Sequence, residues 1–424
     1  MHEGASTPLA SLAMSLSEAS DLVSPHSLDH HKQVAYVSSA IAGQLGERTE
    51  QQADILLAAL LHDVATPSLH ERLCDLKSSL NTTFRHAEAG WLFLKEYEPF
   101  QAAAPMVRFH HLNWDQNRDS SNGGLVRRGS QVLHLADHVS SLLNKNPGAD
   151  RTDRICRDIE SESGKMFDPD LVSAFLELAG DDAFWLDIES PSLSLRLARL
   201  SSFSSSEADD TSLLNVAKLF AQMLDFRSPY TATHSSGVAA CAEALARVTG
   251  MPDEMCTQMR IAGYLHDLGK LSVPVEIIEK PGQLNDEERR TLRAHAYHTH
   301  RILENIEPLR EAYGWASSHH ERIDGSGYPS RIHGENLQLW EKIMAVADTF
   351  IALTEDRPHR RQVSKGEALS VVLALARDGK LDLGVSWMLE SHFDEVYFFS
   401  MAAQVVAGHE YRQFVGDLFA EEVY

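Results

Sequence analysis

The stretch YLHDLGKLSVP, residues 264 to 274, sets a histidine and an aspartate side by side in an apolar run, with a lysine three residues beyond the aspartate. Charge buried among apolar side chains is costly unless it is paired or coordinated. His266 and Asp267 are therefore read either as metal ligands or as a salt-bridged structural pair. LLHDV, residues 60 to 64, repeats the arrangement in the first half of the chain.

The repetition extends outward from that pair. At a constant offset of 204, His30 falls on His234, Val34 on Val238, Gly46 on Gly250, and His62-Asp63 on His266-Asp267. At offset 209, His86 falls on His295 and His110-His111 on His319-His320, and at offset 211 Asp137 falls on Asp348. Equal spacing and Val34 select His30 over its neighbour His31. Seven polar positions recurring in one order, four of them in two adjacent pairs, mark a tandem duplication.

Apolar residues at helical spacing, as in VAYVSSAIAGQLG, LLNVAKLFAQMLD and MCTQMRIAGYLHD, predict helices through both halves, and strand-like alternation is scarce. Gly46, Gly250 and Gly314 suit helix ends, while VPVEIIEKPGQLNDEE and RIDGSGYPSRIHGENLQ read as ordered loops. SSFSSSEADD, residues 201 to 210, is the clearest linker. The expected organisation is a poorly specified segment over residues 1–25, one domain over 26–200, the linker over 201–210, and a second domain over 211–424. Single histidines such as His134, His138, His298, His300 and His333 are read as structural or surface residues.

With 43% hydrophobic and 23% charged residues, the chain has the composition of a folded globular protein. The absence of a long apolar run or a basic-start signal points to the cytoplasm and away from a membrane. Scattered Cys74, Cys156, Cys241 and Cys256 form no CxxC pair, which argues against a zinc–thiolate site. A formal charge of −23 disfavours a nucleic-acid polymer as partner but leaves room for a small anion in a local pocket.

Five imidazoles and two carboxylates per half are nitrogen and oxygen ligands, which suit Fe, Mn, Co or Zn better than Mg or Ca. Seven ligands would crowd one ion, whereas two ions sharing a carboxylate keep positions open for water or substrate. Asp267 suits the bridge. Lys270, one turn beyond the pair, could meet a phosphate oxygen or the leaving group.

The motifs SPYTATHSSGVA, LHDLGK, HAYHTHRIL, HHERIDGSGYP and IMAVADTFIALTEDRPHR, all within residues 225 to 361, resemble the HD superfamily of metal-dependent phosphohydrolases, and specifically its HD-GYP branch. The resemblance implies an all-α fold of two tandem HD-type helical bundles. It also implies a phosphodiesterase acting on a cyclic dinucleotide, chiefly cyclic di-GMP, with 3',3'-cyclic GMP-AMP as the alternative. Other readings are a general HD-type nucleotide hydrolase or a catalytically weak regulator that binds the ligand.

By the same resemblance, two divalent ions, Fe or Mn, would sit in the second domain. One would be held by His234, His266, Asp267 and Asp348, the other by Asp267, His295, His319 and His320. Asp267 and Lys270 would be catalytic, and Lys270, Gly327, Tyr328 and Pro329 would bind substrate.

Tyr230 stands where some members carry a glutamate for a third metal, Thr299 where Gly is usual, Ile351 where Asp is common, and His359 where Tyr is usual. In the first half, Thr66 occupies the slot of Lys270 and no GYP follows Asp115, the counterpart of Asp324. That half keeps a residue at every metal position, namely His30, His62, Asp63, His86, His110, His111 and Asp137. Regulation within the chain or homodimer formation through this half is the plainer expectation for it.

Overall fold

The structure is a computed structural model and describes residues 9–21, 29–65, 82–117, 123–145, 150–201, 210–304, 306, 309–357 and 360–420. They fall into two compact units, one built mainly of residues 6–208 and the other mainly of residues 209–416. Of the expected linker, residues 202–209 lie outside the described residues, as do Thr66 and His359. Both units are helical, and among the described residues the only β pairing is in isolated bridges. Among the described residues, no helix is long and apolar enough to cross a membrane.

The first unit is framed by helices Leu9–Asp21, His30–Gln44, Thr49–Leu61, Thr82–Leu94, Ala104–Arg108 and Gly124–Lys145. The second is framed by Asp210–Asp225, His234–Val248, Asp253–Leu265, His295–Leu303, Arg310–Ser317 and Leu339–Thr354. The duplication is visible in these bounds. At offset 204 the second and third helices of the two sets begin and end on matched residues, and at offset 209 the fourth helices end together. The packing partners match as well: in each unit the second helix lies against the third and the sixth, and the fourth against the fifth. Gly46 and Gly250, at matched positions just beyond the second helix, both adopt positive φ, 70° and 79°. That is the left-handed turn that glycine enters without a Cβ penalty.

Three expectations are corrected. Residues 9–21 of the supposedly unspecified N-terminal segment form a helix whose Leu9, Leu12, Ala13 and Leu16 are buried. Their i, i+3, i+4, i+7 spacing gives one apolar face. Gly314 lies inside Arg310–Ser317 instead of at a helix end. The stretch read as a loop after Lys270 contains two short helices, Val275–Ile278 and Asp286–Arg293. A capping box starts the latter: Asn285 accepts from the Glu287 and Glu288 amides, and Glu288 accepts from the Asn285 amide.

The second unit's central contact is the close approach of His234–Val248 to Asp253–Leu265. A Cβ on Gly263 would lie 2.4 Å from Ala239 Cα, so only glycine admits this separation. Gly263→Ala is expected to cost about 1–3 kcal/mol by forcing the two backbones apart. A lower denaturant midpoint for that unit, with the far-ultraviolet spectrum retained, is the outcome to look for.

Candidate metal centres

In the second unit the histidines stand at helix ends, where the chain turns inward. His234 opens one helix, His266 follows the last residue of the next, His295 opens a third, and His319-His320 follow a fourth. Three of them share one local device. His266 Nδ1 lies 2.8 Å from Gly263 O, His295 Nδ1 2.5 Å from Leu292 O, and His319 Nδ1 2.6 Å from Ala316 O. Because a carbonyl only accepts, each ring must donate from Nδ1, which leaves the Nε2 lone pair facing the interior. His234 is oriented differently: its Nδ1 lies 2.8 Å from Glu355 Oε2. Glu355 is buried and is itself held by Thr233 Oγ1 and Gln404 Nε2.

These rings converge on two carboxylates. Asp267 Oδ1 is 3.4 Å from His295 Nε2 and 3.7 Å from His319 Nε2, while Oδ2 is 3.3 Å from His266 Nε2 and 3.5 Å from His234 Nε2. Asp348 Oδ1 lies 3.4 Å from His234 Nε2, and Oδ2 lies 3.7 Å from His320 Nδ1. The donors form two adjacent groups, Asp267–His295–His319–His320 and His234–His266–Asp348, each with its ligand atoms within 4.8 Å of one another. One Asp267 oxygen faces each group.

Electrostatics suit a cation here. Burial lowers the pKa of His295 to about 4 and that of His319 to about 3, and it holds His320 well below its usual value. Burial alone would raise Asp267, but His266 and Lys270 outweigh it and keep the carboxylate ionised. Burial also opposes charge on His234, yet Glu355 outweighs it and raises that pKa. His266 Nε2 and Asp267 Oδ1 are buried with no hydrogen-bond partner among the described residues. Unpaired buried atoms of this kind are costly, and an ion in each group would satisfy them, His266 Nε2 in one and Asp267 Oδ1 in the other, so the donor set fits two metal ions.

The lysine and the loop complete the surroundings. Lys270 Nζ contacts Asp267 Oδ2. Gly269 is required beside it, since a Cβ there would fall 2.0 Å from His295 O. Thr299 donates to His266 O at 3.0 Å and accepts from the Gly269 amide at 2.9 Å, so the residue in place of the usual glycine ties the turn down. A cavity of about 850 Å³ opens onto His234, His295, His320 and Asp348, with Lys270, Lys280, Arg289, Arg357 and Arg360 at its walls.

The expected substrate residues separate at this cavity. Tyr328 lines it, with its ring 4.7 Å from that of His320. Gly327 is buried against the backbone of residues 320–322 and Pro329 is exposed, and neither lines the cavity. Their part is to shape the loop, which is stapled by buried Glu321 accepting from the Ser330 and Ile332 amides.

The first unit reproduces this geometry. His62 Nδ1 lies 2.8 Å from Ala59 O and His110 Nδ1 2.6 Å from Val107 O, again three residues back. Asp63 Oδ1 lies 3.2 Å from His86 Nε2 and Oδ2 3.6 Å from His62 Nε2. His30 Nε2 is 3.4 Å from Asp137 Oδ1. The groups His30–His62–Asp63 and His86–His110–His111 are each compact enough to hold an ion. His110 Nε2 is buried without a hydrogen-bond partner among the described residues. Residues to which the sequence reading gave no role are Glu355, Gln404, Glu321, the wall cations other than Lys270, and Thr299, which it named only as a departure from the family pattern; the capping pattern at Asn285 marks the helix that carries one of those cations, Arg289.

Family models described as HD domain match residues 27–142 and residues 218–385. The 3'3'-cGAMP-specific phosphodiesterase 1 of Vibrio cholerae is 29% identical over 91% of this chain and 92% of its own length. The 3'3'-cGAMP-specific phosphodiesterase 3 of the same organism is 26% identical over 86% of this chain and 90% of its own length. A cyclic di-GMP phosphodiesterase of Pseudomonas aeruginosa is 38% identical over 33% of this chain and 34% of its own. The crystal structure of a cyclic GMP-AMP phosphodiesterase of V. cholerae, V-cGAP3, shares the fold with a TM-score of 0.66 at 23% identity, covering 92% of this chain and 98% of that one. With two HD domains in tandem, each carrying the ordered histidine–aspartate set, the chain belongs to the HD superfamily of metal-dependent phosphohydrolases, and its second half is of the HD-GYP type.

Proposed function

We propose that the second unit is a phosphodiesterase that opens a cyclic dinucleotide, with 3',3'-cyclic GMP-AMP ahead of cyclic di-GMP. The observation that carries this reading is the meeting of two donor groups at the two oxygens of one carboxylate, on the wall of a cavity lined by Lys270, Arg357 and Arg360. The choice of ring departs from the sequence reading, which put cyclic di-GMP first. The relatives that match across some nine-tenths of the chain are named for 3'3'-cGAMP, whereas the cyclic di-GMP enzyme of P. aeruginosa matches over a third.

Two divalent ions, Fe or Mn by the nitrogen–oxygen donor set, would be held by His234, His266, Asp267 and Asp348 and by Asp267, His295, His319 and His320. When bound, they supply a water of lowered pKa and positive charge against the phosphate. The chain's own residues do the rest. The carbonyl-anchored Nδ1–H groups fix three imidazoles in the ligating tautomer, and Glu355 does the same for His234. Lys270 Nζ, held at Asp267, is placed to bind a non-bridging phosphate oxygen, and Arg357 and Arg360 bring further positive charge to the diester. The reaction forms one water-oxygen–phosphorus bond and breaks one ester bond. The leaving ribose oxygen takes up a proton, and the product is a linear dinucleotide.

Protein purified without oxygen and reloaded with Fe(II) or Mn(II) is expected to hydrolyse 3',3'-cyclic GMP-AMP faster than cyclic di-GMP; the reverse order would return the choice to cyclic di-GMP. Asp267→Asn is expected to abolish turnover of both rings, and hydrolysis that survived it would overturn the assignment. Lys270→Met should lower kcat by about 10²-fold, as expected for loss of one group that stabilises developing charge. Glu355→Ala should weaken metal binding about 10- to 100-fold through the freed His234 ring, read as metal per chain after dialysis against a chelator.

A further inference from the structure

The two units differ at one buried position beside the first histidine. The residue after His234 is Ser235, whose amide and hydroxyl both donate to the Asp225 carboxylate, at 3.1 and 2.9 Å. At offset 204 the same pair in the first unit is Asp21 and His31. Asp21 is again a helix's last residue and again accepts from its partner: His31 Nδ1 lies 2.5 Å from Asp21 Oδ1.

The duplication has kept the carboxylate and exchanged a hydroxyl for an imidazole. That imidazole reaches further. Its ring centre is 5.1 Å from that of His62 and 5.5 Å from that of His30, which are themselves 5.3 Å apart, so three rings form a triangle at the metal-ligand group.

His31 is 5% exposed, and its Nε2 has no hydrogen-bond partner among the described residues. With Nδ1 given to Asp21, a proton on Nε2 would be buried without an acceptor, and a lone pair there would be buried without a donor. Either is costly. A cation would remove the cost in the second case. A carboxylate on one ring nitrogen is the arrangement in which histidines bind metals through the other. In the second unit the carboxylate on the first ligand histidine is Glu355. In the first unit His30 Nδ1 meets the Ser140 hydroxyl, at 2.9 Å, and the carboxylate of Asp21 serves His31.

We propose that His31 is a metal ligand of the first unit, joining His30, His62, Asp63 and Asp137 through Nε2 in a site for a divalent transition-metal ion. This site carries one more imidazole than its counterpart, at a place where the second unit has a serine that faces its own aspartate. A centre in which protein donors fill the coordination positions holds structure together, whereas one with a free position can accept water or substrate. Thr66 in the slot of Lys270 agrees with this, since such a site has no phosphate to meet. The first unit is thus assigned a structural centre, with one position fewer open to water or substrate than its counterpart. The assignment stands whichever cyclic dinucleotide the second unit prefers.

Anomalous diffraction from crystals of the full chain loaded with Mn(II) tests the site directly. A peak within bonding distance of His31 Nε2 is expected, in addition to density in the second unit. Density in the second unit alone, or a first-unit peak out of reach of His31, overturns the proposal. In solution, His31→Ser installs the residue that the repeat places there. It should make metal leave the first unit at a chelator concentration at least 10-fold lower, while the second unit's release is unchanged. A release curve identical to that of the unaltered chain, with the circular dichroism intact, also overturns it. If His31→Ser does not fold, the diffraction experiment on the unaltered chain decides.

Discussion

Everything in the second unit is arranged around one buried negative charge. Asp267 is 2% exposed, faces four imidazoles and touches an ammonium group. A carboxylate so deeply desolvated persists as an anion only because positive or polarisable groups surround it. Supplying them draws in four separate helix ends, the glycine that lets His295 approach, and the threonine that ties the turn. The close packing of His234–Val248 on Asp253–Leu265 follows from the same demand, because it brings the first histidine to within reach of the second.

The seven histidine and aspartate positions were legible because they occur twice, in one order and at near-constant offsets, so each half could be read against the other. Helices were legible through apolar spacing. What escaped was whatever depended on a partner remote in sequence and unmarked by repetition. Glu355 is defined by His234, far upstream, and by Gln404 downstream. Thr299 looked like a departure from the family pattern, and its value lies in two backbone groups at residues 266 and 269. The helix Leu9–Asp21 carried the right apolar spacing but sat among small and polar residues that blur a boundary. Gly327 and Pro329 bear the family's name motif, yet their role is to fold the loop that presents Tyr328.

The halves have diverged in a physically coherent way. The second unit retains the ammonium group, the aromatic loop residue and a cationic cavity. The first retains the imidazole cluster and the carboxylates while Thr66 replaces the lysine and no GYP follows its histidine pair. The two V. cholerae relatives match over 91% and 86% of this chain, so the likeness extends through both domains and not only through the second half.

The carbonyl three residues behind each of His62, His110, His266, His295 and His319 bears on how such a protein ages. An oxygen of the main chain is present whatever side chain its residue carries. Substitution at Ala59, Val107, Leu292 or Ala316 leaves the acceptor in place so long as the helix end keeps its shape. The aim of these rings is therefore inherited with the backbone path and is shielded from drift. A copy of the domain can shed the residues that grip a substrate and still hand down, generation after generation, a set of histidines pointed at the same spot.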